Sequence, residues 1–348
     1  MSIENKEGVR GQRSGVSKDK KTAIFYITNN GLKVARKIKN NFPEAELFKY
    51  DTKLFAGKWQ TAKKIICIMA AGIVVRAVAP LIKNKKTDPA VVVLDEKGRF
   101  VISLLSGHLG GANELSKKIA VCLGAEAVIT TASDVQGRLA LDLWAKEKNL
   151  YVEDFEKLKK LSARIVNGKR IKVKIDGRVN IAAMPEEFIP NASIKEADAI
   201  ISHRLIRSSA LFLRPKSLCV GIGCNRGTSK EEIEKELKEV FIKEKLSYYS
   251  VRGLATIDIK RDEEGLVEFA RENGFIIDLF TKVELNKAIS AYHIKGSEAV
   301  KAATGAAAVA EPAALLSAKK VCGNIRLIKP KVKRGNVTLA IAEAEFTL

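Results

Sequence analysis

Short runs rich in Val, Ile and Leu alternate along this chain with segments of helical periodicity, and glycine-bearing turns join them. A strand, a helix and a further strand in one sheet form a parallel crossover, so this order predicts α/β domains of three layers with mainly parallel sheets. Strands are expected at residues 22–28, 65–70, 90–94, 101–105 and 127–131, and helices at 31–40, 73–81, 111–123 and 139–148. These make an N-terminal α/β domain over residues 21–150. A middle domain, 151–216, opens with an amphipathic helix at 155–166 and continues as an alternating strand at 170–175. That strand places Ile171, Val173 and Ile175 on one face and Arg170, Lys172 and Lys174 on the other, a basic face that is either solvated or available to an anion. The C-terminal α/β domain, 217–348, starts with a strand at 217–222, continues into a charged helix at 230–245 and ends in a strand at 337–342. A length of 348 residues suits two or three such domains.

Residues 1–20 are polar, glycine-bearing and mixed in charge, which reads as a disordered tail without the apolar core of a secretory signal. The longest apolar run, 65–82, contains Arg76 and Pro80 and divides into strand, turn and helix rather than spanning a membrane. The five Cys are odd in number and scattered, as expected of reduced thiols in a cytoplasm. Cys219 and Cys224 lack a second Cys pair or a nearby His, so no metal site is expected.

The formal charge is +21. Residues 1–217 hold 40 Lys+Arg against 22 Asp+Glu, whereas residues 218–348 hold 21 against 18, so the surplus belongs to the first two thirds. Its candidate partners are nucleic acid, an acidic membrane surface and a small molecule with several carboxylates or phosphates, beside the alternative of a merely solvated Lys-rich surface. Aromatic residues are only 6% and no basic run interleaves with stacking residues, which argues against nucleic acid.

The most informative stretch is LLSGHLGGANELS, residues 104–116, which runs from a strand end into a helix. Gly107, Gly110 and Gly111 permit close backbone approach or positive φ, and the N–H groups at the helix start offer an anion site. The spacing is not the dinucleotide G-x-G-x-x-G pattern. Ser106, His108 and Asn113 flank the turn, and His108 is read either as a general base near neutral pH or as a loop hydrogen-bonding residue. His203 and His293 are read as structural. A second strand-to-helix turn carries Gly72 and Arg76, the guanidinium serving either to grip a carboxylate or to pair with a neighbouring loop. Lys83, Lys85 and Lys86 form a basic loop that runs through Asp88 and Pro89 into another strand. Thr130 and Thr131, with Ser133 and Asp134, stand at a third strand end as ligand contacts or helix caps, and for Asp134 capping is the expected role.

Taken together these segments resemble the CbiG family, the cobalt-precorrin-5A hydrolases of anaerobic cobalamin biosynthesis, over residues 22–346. The resemblance is carried by AAGIVVRAVAPLI (70–82), KTDPAVVV (86–93), LLSGHLGGAN (104–113) and VITTA (128–132). In the last domain it is carried by VGIGC (220–224), IDIK (257–260), VAEPAAL (309–315) and VTLAIA (337–342). Pro312 departs from the family pattern where a small helix former is expected, and Thr256 where Ser is usual. The resemblance implies N-terminal and middle domains joined to a C-terminal domain similar to a stand-alone protein of the aerobic pathway. It implies hydrolysis of a carbon–carbon bond: the δ-lactone of cobalt-precorrin-5A opens, and C20 leaves with its methyl group as acetaldehyde, a step of corrin ring contraction. No organic cofactor is implied, since cobalt arrives inside the tetrapyrrole substrate.

Such a reaction needs an activated water and donors for the developing oxyanion. Residue chemistry then gives His108 the role of base, Ser106 and the N–H groups around Gly110 and Gly111 that of oxyanion donors, and Asn113 that of orienting water or substrate. Arg76, Lys83 and Lys86 would hold peripheral carboxylates, with Gly72, Gly107, Thr130 and Thr131 lining the ligand. A non-catalytic corrinoid carrier is the alternative. The expected partner is the polycarboxylate substrate, with neither nucleic acid nor membrane. A homodimer is compatible with the chain.

Overall fold

The computed structural model describes residues 22–84, 87–108, 110–181 and 183–348, apart from the side chains of Ser133 and Val135. The tail expected at 1–20 and the proposed ligand contact Lys86 lie outside the described residues. The chain forms two compact units, residues 1–136 and 137–348. Among the described residues, no helix is long and apolar enough to cross a membrane.

The first unit is built in the order β1 (Thr22–Tyr26), α1 (Asn29–Asn41), β2 (Glu46–Lys49), α2 (Thr52–Thr61), β3 (Lys64–Ile68), α3 (Ala71–Val78), β4 (Ala90–Leu94), β5 (Phe100–Leu105), α4 (Ala112–Leu123), β6 (Glu126–Val128) and α5 (Ala132–Val135). Its six strands lie in the order β2-β1-β3-β4-β5-β6 and are parallel except where β5 runs antiparallel to β4. β3 and β4 are buried on both faces, which accounts for their unbroken apolar runs. Ile38, Leu115 and Ile119 of α1 and α4 pack on one face, while Phe55, Trp59, Val74 and Val78 of α2 and α3 pack on the other. β2 and α2 carry little sequence signal. β2 is a short, half-exposed strand, and α2 holds Gly57 and is marked mainly by Asp51, whose carboxylate accepts the Leu54 N–H at 2.8 Å.

The second unit begins with α6 (Leu141–Glu147), β7 (Leu150–Val152), α7 (Phe155–Val166), β8 (Ile171–Ile175), β9 (Val179–Asn180), β10 (Phe188–Ile189), β11 (Ala199–Ile201) and β12 (Leu211–Pro215). The helix expected at 139–148, on the N-terminal side of a boundary at residue 150, is α6 and belongs to the second unit. In the structure Leu141 and Trp144 of α6 share a core with Leu158, Leu161 and Ile165 of α7, and Trp144 meets Phe188 edge-on at 4.9 Å. The sheet order is β10-β8-β11-β12-β7, with only β7 antiparallel to its neighbour.

The chain continues as β13 (Leu218–Cys224), α8 (Lys230–Lys243), β14 (Val251–Ile257), α9 (Glu264–Asn273), β15 (Ile276–Phe280), α10 (Lys282–Ala291), α11 (Glu298–Thr304), α12 (Ala310–Lys319), β16 (Ile325–Arg334), β17 (Val337–Ala344) and β18 (Phe346–Thr347). A five-stranded sheet, β15-β14-β13-β17-β16, has α8 and α9 on one face and α10 and α12 on the other. α12 sits unusually close: a Cβ at Gly221 would lie 1.8 Å from the Ala310 carbonyl oxygen, so only glycine fits there. Pro312 falls in the first turn of α12, where the N–H groups have no intrahelical partner and none is lost. β18 pairs with β9 in a separate two-stranded sheet, and Phe346 and Leu348 join the core that holds Trp144 and Leu158.

Two charged clusters organise this unit. Arg214 is 2% exposed, donates to the Glu153 carboxylate at 2.6 Å and to the carbonyls of Ser202 and Arg204 at 2.8 and 2.6 Å, and lies over the Phe212 ring. Asp278 accepts from Ser317, Lys320 and Arg252 at 2.7, 2.8 and 3.1 Å. Burial alone would raise its carboxyl pKa, but these donors outweigh burial and hold it below the ordinary aspartate value.

Arg214→Ala strands a carboxylate and two carbonyls and is expected to lower stability by about 3 kcal/mol, read as a lower urea midpoint. Because the Asp278 pKa is depressed on folding, its contribution is present above the ordinary carboxylate range and disappears as pH falls through the folded value. Asp278→Asn should therefore be less stable than wild type at pH 7. The difference should close in melts run from about pH 5 downward.

Candidate active site in the first unit

The turn from β5 into α4 is a closed backbone structure. Ser106 holds φ +57 and Gly111 φ +86, both left-handed. The N–H groups of Ala112 and Asn113 donate back to the carbonyls of Ser106 and Gly107 at 3.2 and 3.0 Å, and the Gly111 N–H donates to the His108 carbonyl at 3.0 Å. A Cβ at Gly110 would stand 2.4 Å from Ser106 Cβ, and one at Gly107 would stand 2.7 Å from Asn113 Oδ1, so the glycines are needed because the turn folds onto itself. The donors expected to face a ligand at Gly111 and the helix start thus serve the turn instead. The Ser106 hydroxyl likewise donates to the Asp88 carbonyl at 3.2 Å.

What the turn presents is a side-chain network. His108 Nε2 lies 2.8 Å from Asp134 Oδ2, and since a carboxylate only accepts, that ring nitrogen carries the proton. Both groups are mostly buried, with side-chain exposures of 15% and 21%. Asn113, fully buried, donates from Nδ2 to the same Asp134 oxygen at 3.0 Å and to Thr131 Oγ1 at 3.3 Å, while its Oδ1 accepts from Ser103 Oγ at 2.6 Å. Asp134 is therefore not the cap of its helix. It stands third in α5, Thr131 holds the cap position, and the Asp134 carboxylate is turned toward His108 and Asn113. Lys117, one helical turn beyond Asn113, brings its ammonium within 3.8 Å of the other Asp134 oxygen. Ser103, Lys117 and the role of Asp134 escaped the sequence reading. The i, i+4 spacing of Asn113 and Lys117 on one helix was the signal available.

The remaining candidates divide by sheet edge. β3 ends at Ile68, opposite Leu94, and Leu94 pairs with Val101 at the start of β5. β5 ends at Leu105, opposite Val91 at the start of β4. The loops after β5 and β6 and the loop before β4 thus share one edge. That edge gathers His108, Thr130, Thr131, Asp134 and exposed Lys83, whose N–H donates to the buried Asp88 carboxylate at 3.2 and 3.0 Å. Gly72 and Arg76 lie at the opposite edge, about 15 Å away along the strands. There the Arg76 guanidinium donates to the Gly72 carbonyl, one helical turn back, at 3.0 Å.

Gly110→Ala and Gly111→Ala separate crowding from backbone strain. Gly111 has open space for a Cβ and only its φ to overcome, about 1–2 kcal/mol, whereas Gly110→Ala must displace Ser106 and is expected to cost clearly more in urea unfolding.

Three family models cover the chain: Cobalamin synthesis G N-terminal at residues 53–134, Cobalamin biosynthesis central region at 139–215 and Cobalamin synthesis G C-terminus at 218–342. The cobalt-precorrin-5A hydrolase of Priestia megaterium is 36% identical over 95% of this chain and 97% of its own length. That of Salmonella typhimurium is 32% identical over 88% and 94%. The solved structure of CobE, described as a protein from the cobalamin (vitamin B12) biosynthetic pathway, is 30% identical over 36% of this chain and 89% of its own, with a TM-score of 0.34. With all three segments present in order and full-length relatives above 30% identity, the chain belongs to the CbiG family of cobalamin synthesis proteins.

Proposed function

We propose that the protein is a hydrolase of cobalamin biosynthesis that opens the δ-lactone of cobalt-precorrin-5A and releases C20 with its methyl group as acetaldehyde, leaving cobalt-precorrin-5B. The full-length relatives named for that activity support the substrate, and the His108–Asp134 pair is the observation that carries the chemistry. His108 takes the proton of the attacking water, and the Asp134 carboxylate orients the ring and stabilises the imidazolium that forms. Asn113 acts as a positioning residue, since both of its amide donors hold Asp134 and Thr131 and its oxygen accepts from Ser103. Ser106 and the glycines shape the turn.

Lys83 and Lys117, both exposed at this edge, attract the acetate and propionate arms of the substrate, with Thr130 and Thr131 beside them. Water is the only co-substrate that the reaction calls for, and cobalt enters as part of the substrate, so no organic cofactor is assigned.

His108→Ala should lower acetaldehyde release from cobalt-precorrin-5A by at least about 100-fold, and Asp134→Asn by roughly 10–100-fold. Both variants should retain the wild-type melting profile. Undiminished release by His108→Ala would remove the residue from the mechanism, and corrinoid binding by wild type without any acetaldehyde would make the protein a carrier.

A further inference from the structure

A cavity of about 690 Å³ opens in the second unit at the carboxyl ends of β13 and β14. Carboxyl ends of parallel strands are where open α/β sheets receive ligands, and the volume lies in the range of small-molecule sites. The cavity exists because of residue size. At Gly223 a Cβ would meet nothing closer than Thr338 Cβ at 3.9 Å, and the facing wall is made of Ala303, Ala307 and other small side chains.

The rim is basic. Lys260, Lys331 and Lys333 line it against one carboxylate, Glu311. Lys260 is paired with Glu263 at 2.8 Å, and Glu311 accepts the backbone N–H of Lys331 at 3.0 Å. Lys331 and Lys333 are exposed, and neither makes an ion pair among the described residues. Two ammonium groups without an ion-pair partner among the described residues, above an apolar floor, suit a molecule with a broad apolar body and peripheral anionic arms. This contrasts with the C-terminal domain as a whole, where the charges nearly balance, with 21 Lys+Arg against 18 Asp+Glu over residues 218–348.

We propose that this cavity is a second binding site for a carboxylate-fringed macrocycle, with Lys331 and Lys333 gripping its arms and the alanine wall covering part of its face. The choice of occupant rests on the proposed function, while the cavity and its charge do not. The probe is uroporphyrin III, a tetrapyrrole bearing acetate and propionate arms, titrated into the full-length protein and followed by absorbance. Cys224, which lines the cavity, reports occupancy through slow alkylation read by mass spectrometry. Its thiol pKa is raised by burial, so the reaction is slow enough to time.

Wild type should bind the probe and protect Cys224. Lys331→Glu with Lys333→Glu should weaken binding about tenfold or more and abolish the protection, and Ala303→Phe should do the same by filling the space. His108→Ala should leave protection unchanged. Equal protection of Cys224 in the double lysine variant, or no protection in wild type, overturns the proposal. Displacement of the probe by glutarate at matching concentration would also overturn it, because the site would then read a lone carboxylate. Loss of acetaldehyde release with intact Cys224 protection would sink the proposed activity and leave this site standing.

Discussion

The reversal of a single strand decides which parts of the first unit meet. Because β5 runs antiparallel to β4, the turn after β5 comes to the edge where β4 begins rather than the edge where β1 and β3 end. Lys83, Asp88 and the loop after β6 are brought to that same edge. Two glycine turns that look alike in sequence are thereby separated: the one with His108 faces a carboxylate, and the one with Arg76 closes on its own helix.

Within that edge, Asn113 is the joint. Its side chain binds β5 through Ser103, the loop after β6 through Thr131, and α5 through Asp134, so both of its N–H donors are committed within the protein. A buried amide with three hydrogen-bond partners is rigid, because moving any one of them strands a polar group away from water. The His108–Asp134 geometry inherits this rigidity. The glycines serve the same purpose, since the turn can cross itself at Ser106 and Gly110 only if one residue has no side chain. In the second unit buried charge has a comparable part: Arg214 ties β12 to Glu153 and to the loop after β11, as Asp278 ties β15 to α12.

Much of the fold was legible along the chain. β4 and α7 fall where the apolar runs and the 3.6-residue period place them, since each is a strong local pattern. The strand expected at 127–131 ends at Val128, because Thr130 and Thr131 belong to the loop that feeds α5. β2 and α2 went unread since their stability comes from Phe48 and Phe55 packing with Phe25, contacts distant in sequence. Of the candidate site, the glycine surroundings drew attention to His108 and Asn113, which the structure joins through Asp134. Asp134 was misread as a cap, because an acidic residue in the first turn of a helix has the same sequence signature whether it serves the helix or a histidine 26 positions away.

The sequence by itself determined the alternation of elements, the glycine-dependent turn and the family, because these are local patterns or an ordered series of motifs that need no third dimension to be read. Only the tertiary structure decided that Asp134 partners His108, that Gly111 serves its own turn, that Arg76 stands apart, and that a basic cavity opens above Gly223. The physical reason is that strand direction and register set which loop ends meet. Both are fixed by the simultaneous burial of apolar faces from many segments, which no single segment encodes.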